Sequence, residues 1–271
     1  MKKPEDRNIK AVDFYYFTGT GNTLLIVHKM RDTFTEKGVK VTVNKIEKTV
    51  SGKINPENTI GLAFPVAIFT TYPLVWDFVK SMPEVKGTPV FMVDTFGGLS
   101  FGVVGHLKNV LRKKGYRVIG AKQIQMPINV FIVMPDDWSR KRIEKGYETA
   151  RLYTEDILAG KSSWKSFPLL SGLMYYLCIG VFKITDWKIH QKYLHMKVET
   201  VKCNSCGICA EFCPANNIQM EQYPVHGFKC QYCLRCASVC PQGAIPGFIN
   251  YKKVVYKLPD NSLEELLRHD E

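Results

Sequence analysis

Eight of the nine cysteines in this chain lie between Cys203 and Cys240, in two runs of one design. Cys203, Cys206, Cys209 and Cys213 form C-x-x-C-x-x-C-x-x-x-C ahead of Pro214. Cys230, Cys233, Cys236 and Cys240 repeat that spacing ahead of Pro241. Three cysteines at every third position let one tight loop wrap thiolates around an iron–sulfur cubane, while the fourth, just before proline, points toward a second cubane. Crossed ligation is therefore expected. Cys203, Cys206, Cys209 and Cys240 would hold one [4Fe–4S] cluster, and Cys230, Cys233, Cys236 and Cys213 the other, so neither half should fold alone. A disulfide framework would instead spread its cysteines to staple distant segments. The competing metal reading, a pair of structural zinc sites, usually draws two cysteines from each of two separated knuckles.

A second chemical feature stands near the N-terminus, where Thr18-Gly19-Thr20-Gly21-Asn22-Thr23 follows the apolar run Ala11–Phe17. Leu24, Leu25, Val27 and Met30 lead on at helical spacing to Phe34, and Gly38 supplies a stop. The loop thus sits between a buried strand and a helix N-terminus, where backbone N–H groups, the helix dipole and three threonine hydroxyls would meet an anion. A phosphate monoester fits. A nucleoside triphosphate would want G-x-x-x-x-G-K-[ST]. A dinucleotide would want G-x-G-x-x-G, whose last glycine is replaced here by Leu24.

The elements that must position these residues alternate along the first half of the chain. Strand-like Ala11–Phe17, Val39–Val43, Ile60–Phe64, Val90–Asp94 and Val118–Ile124 interleave with helix-like Leu74–Ser81, Phe101–Lys114 and Trp138–Leu158. That pattern predicts an α/β fold with five strands in a wound parallel sheet. Ligands of such sheets lie beyond the carboxyl ends of the strands. The loops Pro65–Tyr72 and Thr95–Ser100 should therefore line the site.

Both regions resemble known families. The cysteine runs, with CPANNI and CPQGAI after their last ligands, resemble the two-cluster bacterial ferredoxins over about Val198 to Phe248, which implies a small α+β ferredoxin-like domain and low-potential electrons. YYFTGTGNT resembles the FMN-phosphate loop of flavodoxins, its threonines falling at Thr18, Thr20 and Thr23. That likeness implies a flavodoxin-like sheet with FMN held by Thr18, Gly19, Thr20, Gly21, Asn22 and Thr23. It places Pro65, Val66, Ala67, Ile68, Phe69 and Tyr72 on one side of the isoalloxazine and Thr95, Phe96, Gly97 and Gly98 on the other. Phe69, Tyr72 or Phe96 would stack on the ring, or pack in a core. The whole chain resembles the flavodoxin–ferredoxin fusion proteins of anaerobes.

The expected division is 1–165 for the FMN-binding domain, 166–197 for a connector, 198–250 for the two-cluster domain and 251–271 for a tail. In the connector, Phe167–Phe182 is apolar but shorter than the ~20 residues that cross a bilayer, and reads as a buried helix. Cys178 within it reads as an inert thiol, and His190 and His195 lack a metal partner at useful spacing. Ser262 reads as an N-cap for a terminal helix. No secretory leader is evident at MKKPEDRNIK, so a cytoplasmic location is expected. Lys202, Lys229 and Arg235 flank or enter the cysteine runs, where they would raise cluster potentials or simply be solvated. The formal charge of +12 favours an acidic redox partner of the ferredoxin or flavodoxin type. No nucleic-acid module is recognisable, no transmembrane span is expected, and a homo-oligomer remains open. A flavin beside clusters converts between one- and two-electron chemistry. The expected function is electron carriage; the alternative is a flavin-dependent oxidoreductase that reduces a small molecule with electrons fed through the clusters.

Overall fold

The computed structural model describes residues 9–67, 70–98, 100, 102–165, 196–246 and 254–269. The expected helix Phe167–Phe182, Cys178, His190, His195 and the loop residues Ile68 and Phe69 lie outside the described residues.

All five expected strands form, with ends shifted by one or two residues: β1 (Ala11–Tyr16), β2 (Lys40–Lys45), β3 (Thr59–Pro65), β4 (Pro89–Phe96) and β5 (Arg117–Gln125). They pair in parallel in the order β2-β1-β3-β4-β5. β1 and β3 are buried almost end to end, as strands covered on both faces must be, whereas edge strand β2 (KVTVNK) exposes Lys40 and Thr42. Helix α1 (Asn22–Glu36) and α4 (Asp136–Leu158) cover one face of the sheet, α2 (Pro73–Ser81) and α3 (Val103–Lys113) the other. The helix starts follow local chemistry. Pro73 opens α2, where its missing N–H costs nothing. Asp136 and Asp137 place negative charge on the first turn of α4, which begins two residues before the expected Trp138.

The iron–sulfur half is a small α+β unit. A short helix, Ile208–Glu211, precedes the antiparallel pair β6 (Ile218–Met220) and β7 (Pro224–His226), and a second short helix, Arg235–Val239, follows. Met196, Ile218, Leu234, Ala237 and Ile245 form its own core. It is not a separate bead, because Phe212 and Val239 belong to the same apolar cluster as Leu24, Ile26 and Met30 of α1. The tail joins them. Its helix, Leu263–His269, buries Leu263 and Leu267 in that cluster, and Arg268 makes a two-pronged pair with Glu211 at 2.6 and 3.0 Å. Among the described residues no helix is long and apolar enough to cross a membrane.

One glycine in the sheet has a packing reason. Phe14 and Phe91 meet edge-on across β3, ring centroids 5.4 Å apart. A Cβ on Gly61 would stand 2.7 Å from Phe14 and 2.8 Å from Phe91. Gly61→Ala should therefore overpack the core and destabilise the fold by ~1–3 kcal/mol. The measurement is the urea midpoint of the cluster-loaded protein, which should fall while the slope stays constant.

Candidate functional site

The cysteines gather across the two runs. Cys203, Cys206 and Cys209 line one cavity together with Cys240. Cys230, Cys233 and Cys236 line another together with Cys213. Among the described residues no three His, Cys, Asp or Glu side chains converge on a point that would hold a single ion. Each quartet surrounds a space instead, and a four-thiol donor set around a space suits a cubane better than one zinc ion.

The backbone repeats itself around both cavities. Ser205 and Tyr232, each two residues after the first cysteine of its run, have φ of 58° and 53°, and their amides donate to Cys203 Sγ and Cys230 Sγ at 3.4 Å. Gly207 and Leu234 are likewise left-handed at 79° and 62°, as are Asn216 and Gly243 at 46° and 58°. After each proline-adjacent cysteine a further amide turns back: Asn217 N–H to Cys213 Sγ and Ala244 N–H to Cys240 Sγ, both at 3.3 Å. Left-handed leucine and tyrosine are costly, and persist where the surroundings over-determine them. Here they curl the chain so that amides point at sulfur, where they would stabilise negative charge. Asn217 was not singled out by the sequence reading; its Oδ1 also accepts from the Lys229 amide at 2.5 Å, locking the two runs together. Burial pushes the Cys209 thiol up to about 11 and the Cys233 thiol up to about 12, with the charge of Arg235 pulling Cys233 back. Burial also pushes Cys236 well above the usual thiol range. Such sulfurs become thiolates only beside strong positive charge, which a bound metal supplies.

The Thr18–Thr23 loop is buried throughout. Gly21, at φ 100°, precedes α1 without a side-chain cap, and no acid stands in the first turn. Thr18 Oγ1 accepts from Gly21 N–H at 3.1 Å and Thr20 Oγ1 from Asn129 Nδ2 at 2.8 Å, which leaves both hydroxyl protons to donate. Thr23 Oγ1 pairs with Thr95 Oγ1 at 2.7 Å, joining this loop to the one after β4. Asn22 is fixed on both sides, donating to the Pro127 carbonyl at 3.0 Å and accepting from Tyr256 at 2.9 Å. An uncapped helix end, two donating hydroxyls and no nearby acid in the first turn suit a phosphate monoester. Asn129 and Tyr256, which brace this loop from the segment after β5 and from the tail, carried no sequence signal.

The other loop residues are placed as follows. Val66 N–H donates to the Thr95 carbonyl at 2.8 Å, so the loops after β3 and β4 are tied at their bases. Ala67 and Thr70 bridge back on each other, with Pro65 and Val66 half-buried before them. Phe96 and Gly97 are half-buried, Gly98 is exposed, and a Cβ on Gly97 would stand 3.0 Å from Ile128. Tyr72 packs edge-on against Phe17, centroids 5.1 Å apart, and burial followed by Cys233 and Cys230 raises its pKa. It stands on the side of the second cysteine run.

That run is seated on the Thr18–Thr23 loop. A Cβ on Gly19 would lie 2.2 Å from the Cys233 carbonyl oxygen, so glycine is required for the approach. Arg235 is 3% exposed, and is not the solvated cation that the sequence left open. Its Nε and Nη2 donate to the Thr18 carbonyl at 3.0 and 2.7 Å, and its Nη1 pairs with Glu47. Its guanidinium also lies over the Phe17 ring, 5.2 Å from the centroid. Leu74 N–H donates to Gln231 Oε1 at 3.3 Å beside it.

A family model described as a 4Fe-4S dicluster domain matches residues 195–241. No curated protein matches the chain. Among solved structures, a two-electron reduced flavodoxin from Megasphaera elsdenii is 23% identical, covering 52% of this chain and 98% of that one at a TM-score of 0.38. A flavodoxin from the domain Archaea is 13% identical, covering 54% and 98% at 0.39. The flavodiiron protein from Giardia intestinalis is 15% identical, covering 57% of this chain and 38% of that one at 0.35. Strand order and connectivity carry the fold. These define the class: a flavodoxin-like α/β domain joined to a 4Fe–4S dicluster domain. The chain thus joins an iron–sulfur domain to a flavodoxin-like sheet.

A further carboxylate stands at the end of the sheet. Asp94, at the carboxyl end of β4, is fully buried; its Oδ2 accepts from Gln123 Nε2 at 3.0 Å, Ser100 adds a hydrogen bond to the carboxyl, and Oδ1 has no partner among the described residues. Burial raises its pKa to about 7, against the pull of the Gln123 and Ser100 hydrogen bonds. The folded state therefore holds a proton that the unfolded chain has lost above its ordinary value. Stability is fully present below that ordinary value and falls as pH rises toward 7, by up to ~1.4 kcal/mol per unit. Asp94→Asn should flatten this dependence, read as urea midpoints at pH 5.5 and 8 that differ in the parent and converge in the variant.

Proposed function

We propose that the chain carries two [4Fe–4S] clusters and one FMN and passes single electrons between them and a partner redox protein. The observation that carries this reading is the seating of Cys233, from one cysteine quartet, directly on Gly19 of the anion loop. Bound clusters would exchange one electron at a time and a bound flavin one or two, so their union converts between the two regimes. Cys203, Cys206, Cys209 and Cys240 are proposed as one ligand set, and Cys213, Cys230, Cys233 and Cys236 as the other. Thr18, Thr20 and the first-turn amides of α1 would hold the FMN phosphate, and the loops after β3 and β4 would flank the ring.

On this reading residues 1–165 and 198–250 are the two redox domains, with 166–197 and 251–271 joining them, and the protein works in the cytoplasm. The carrier reading is favoured over small-molecule reduction because Asp94, the carboxylate of these loops, is sealed from any substrate. The charge of +12 suits an acidic partner, whose association should slow as salt screens the field.

Anaerobic purification with iron, acid-labile sulfide and flavin analysis tests the cofactors. Bound zinc without sulfide would sink the cluster assignment. Riboflavin held as tightly as FMN would sink the phosphate loop, since the phosphate contacts are what that loop adds. Cys213→Ser should damage only the centre of the second run, seen by electron paramagnetic resonance; loss confined to the first run would refute the crossed assignment.

A further inference from the structure

The two cysteine runs are alike in spacing, in left-handed turns and in N–H···S bonds, but the fold gives them unlike surroundings. Cys206 of the first quartet is exposed, and its cavity is rimmed by Met220, itself 36% exposed. The second quartet faces inward: Cys233 packs against the apolar cluster of β3, α2 and α3 and meets Gly19 through its carbonyl. One sequence step matches this difference. Between the second and third cysteines, the first run has Gly207-Ile208 and the second has Leu234-Arg235. At the position of a buried arginine in one half, the other half has isoleucine. The lysines before each run do not separate them, since Lys202 and Lys229 are both exposed and Lys202 is paired with Glu199 at 2.7 Å.

We propose that the first quartet is the port to the outside partner, that the second is the relay to the α/β domain, and that Arg235 is the positioning residue that keeps the buried relay reducible. This rests on the cofactor reading above. Withdrawal from water disfavours the more negative, reduced state of a centre and lowers its potential, while a fixed positive charge in low dielectric raises it. Cys233 lies against the α/β domain whereas Cys206 reaches solvent, so without compensation an electron arriving at the exposed port would face an uphill step inward. Arg235 is covalently part of the loop between Cys233 and Cys236. Its charge is thus fixed beside the relay, and its hydrogen bonds to the Thr18 carbonyl press the relay onto the anion loop. Glu47, in the segment after β2, pairs with the guanidinium and tempers the effect. One electron moves per step, from a low-potential one-electron donor protein through the port to the relay, with no bond made or broken.

The test uses protein whose iron, sulfide and FMN have already been counted, so that failure of the cofactor reading shows before any potential is measured. Redox titrations followed by electron paramagnetic resonance give the midpoint of each centre, assigned through Cys213→Ser. Arg235→Ile, which copies the first run, should lower the second-run midpoint by at least tenfold in the one-electron equilibrium constant, ~59 mV, and leave the first-run midpoint in place. That fall is a sign that mere loosening of the interface does not produce, since admitted water would raise the midpoint; Glu47→Gln should move the same midpoint upward, and Arg235→Lys should stay near the parent. A dysprosium chelate added to the reduced parent should speed spin relaxation of the first-run centre and spare the second. The proposal is overturned if both midpoints shift together or neither does, if Glu47→Gln lowers the second-run midpoint, or if the chelate relaxes both centres alike.

Discussion

The guanidinium of Arg235 is withdrawn from water at the junction of the two halves, and a charge in that position is tolerated only while its partners are in place. Those partners come from separate parts of the chain: the Thr18 carbonyl at the end of β1, the Glu47 carboxylate after β2, the Phe212 carbonyl in the first cysteine run and the face of Phe17. Satisfying them fixes where the iron–sulfur unit sits on the sheet. The Gly19 approach to Cys233, the Leu74–Gln231 hydrogen bond and the place of Tyr72 all follow from that placement.

The junction is reinforced by apolar burial shared between the halves. Phe212 and Val239 complete a cluster begun by α1, and the tail closes it with Tyr256, Leu258, Leu263 and Leu267. A Cβ on Gly21 would stand 2.6 Å from Leu258, so the tail, like the cysteine run, reaches the anion loop at close range. The tail is therefore a strap: its helix holds the apolar seam, and Tyr256 braces Asn22 through a buried hydrogen bond. Such a seam fixes the separation of the two halves, and transfer between bound centres would need a fixed separation more than moving parts.

Within the iron–sulfur unit, a repeated sequence makes a repeated backbone, and the fold then breaks the symmetry. The same left-handed positions and the same amide-to-sulfur bonds appear twice, yet only one copy is pressed against the sheet. Two sites of equal chemistry placed in unequal dielectric surroundings acquire unequal properties, which is how one duplicated motif can serve two stations of a path.

Much of this was legible in the sequence. Local periodicity set the five strands and four long helices of the α/β domain to within a residue or two, because apolar alternation and helix-terminal residues are short-range signals. The cysteine spacing announced iron–sulfur chemistry, since three thiolates in one loop follow from chain geometry alone. The glycine–threonine loop announced an anion site for the same local reason. What the sequence left open was decided by contacts between residues far apart in the chain. Arg235 could be solvated or buried until Thr18 and Glu47 met it, and Tyr256 and Asn129 gave no hint of the loop they brace. Asp94 had its pKa raised only once β4 was enclosed. Spacing encodes what one segment can bind. Burial, and the charges and hydrogen bonds that burial makes strong, exist only after distant segments have packed, so the inequality of the two cysteine quartets belongs to the tertiary structure.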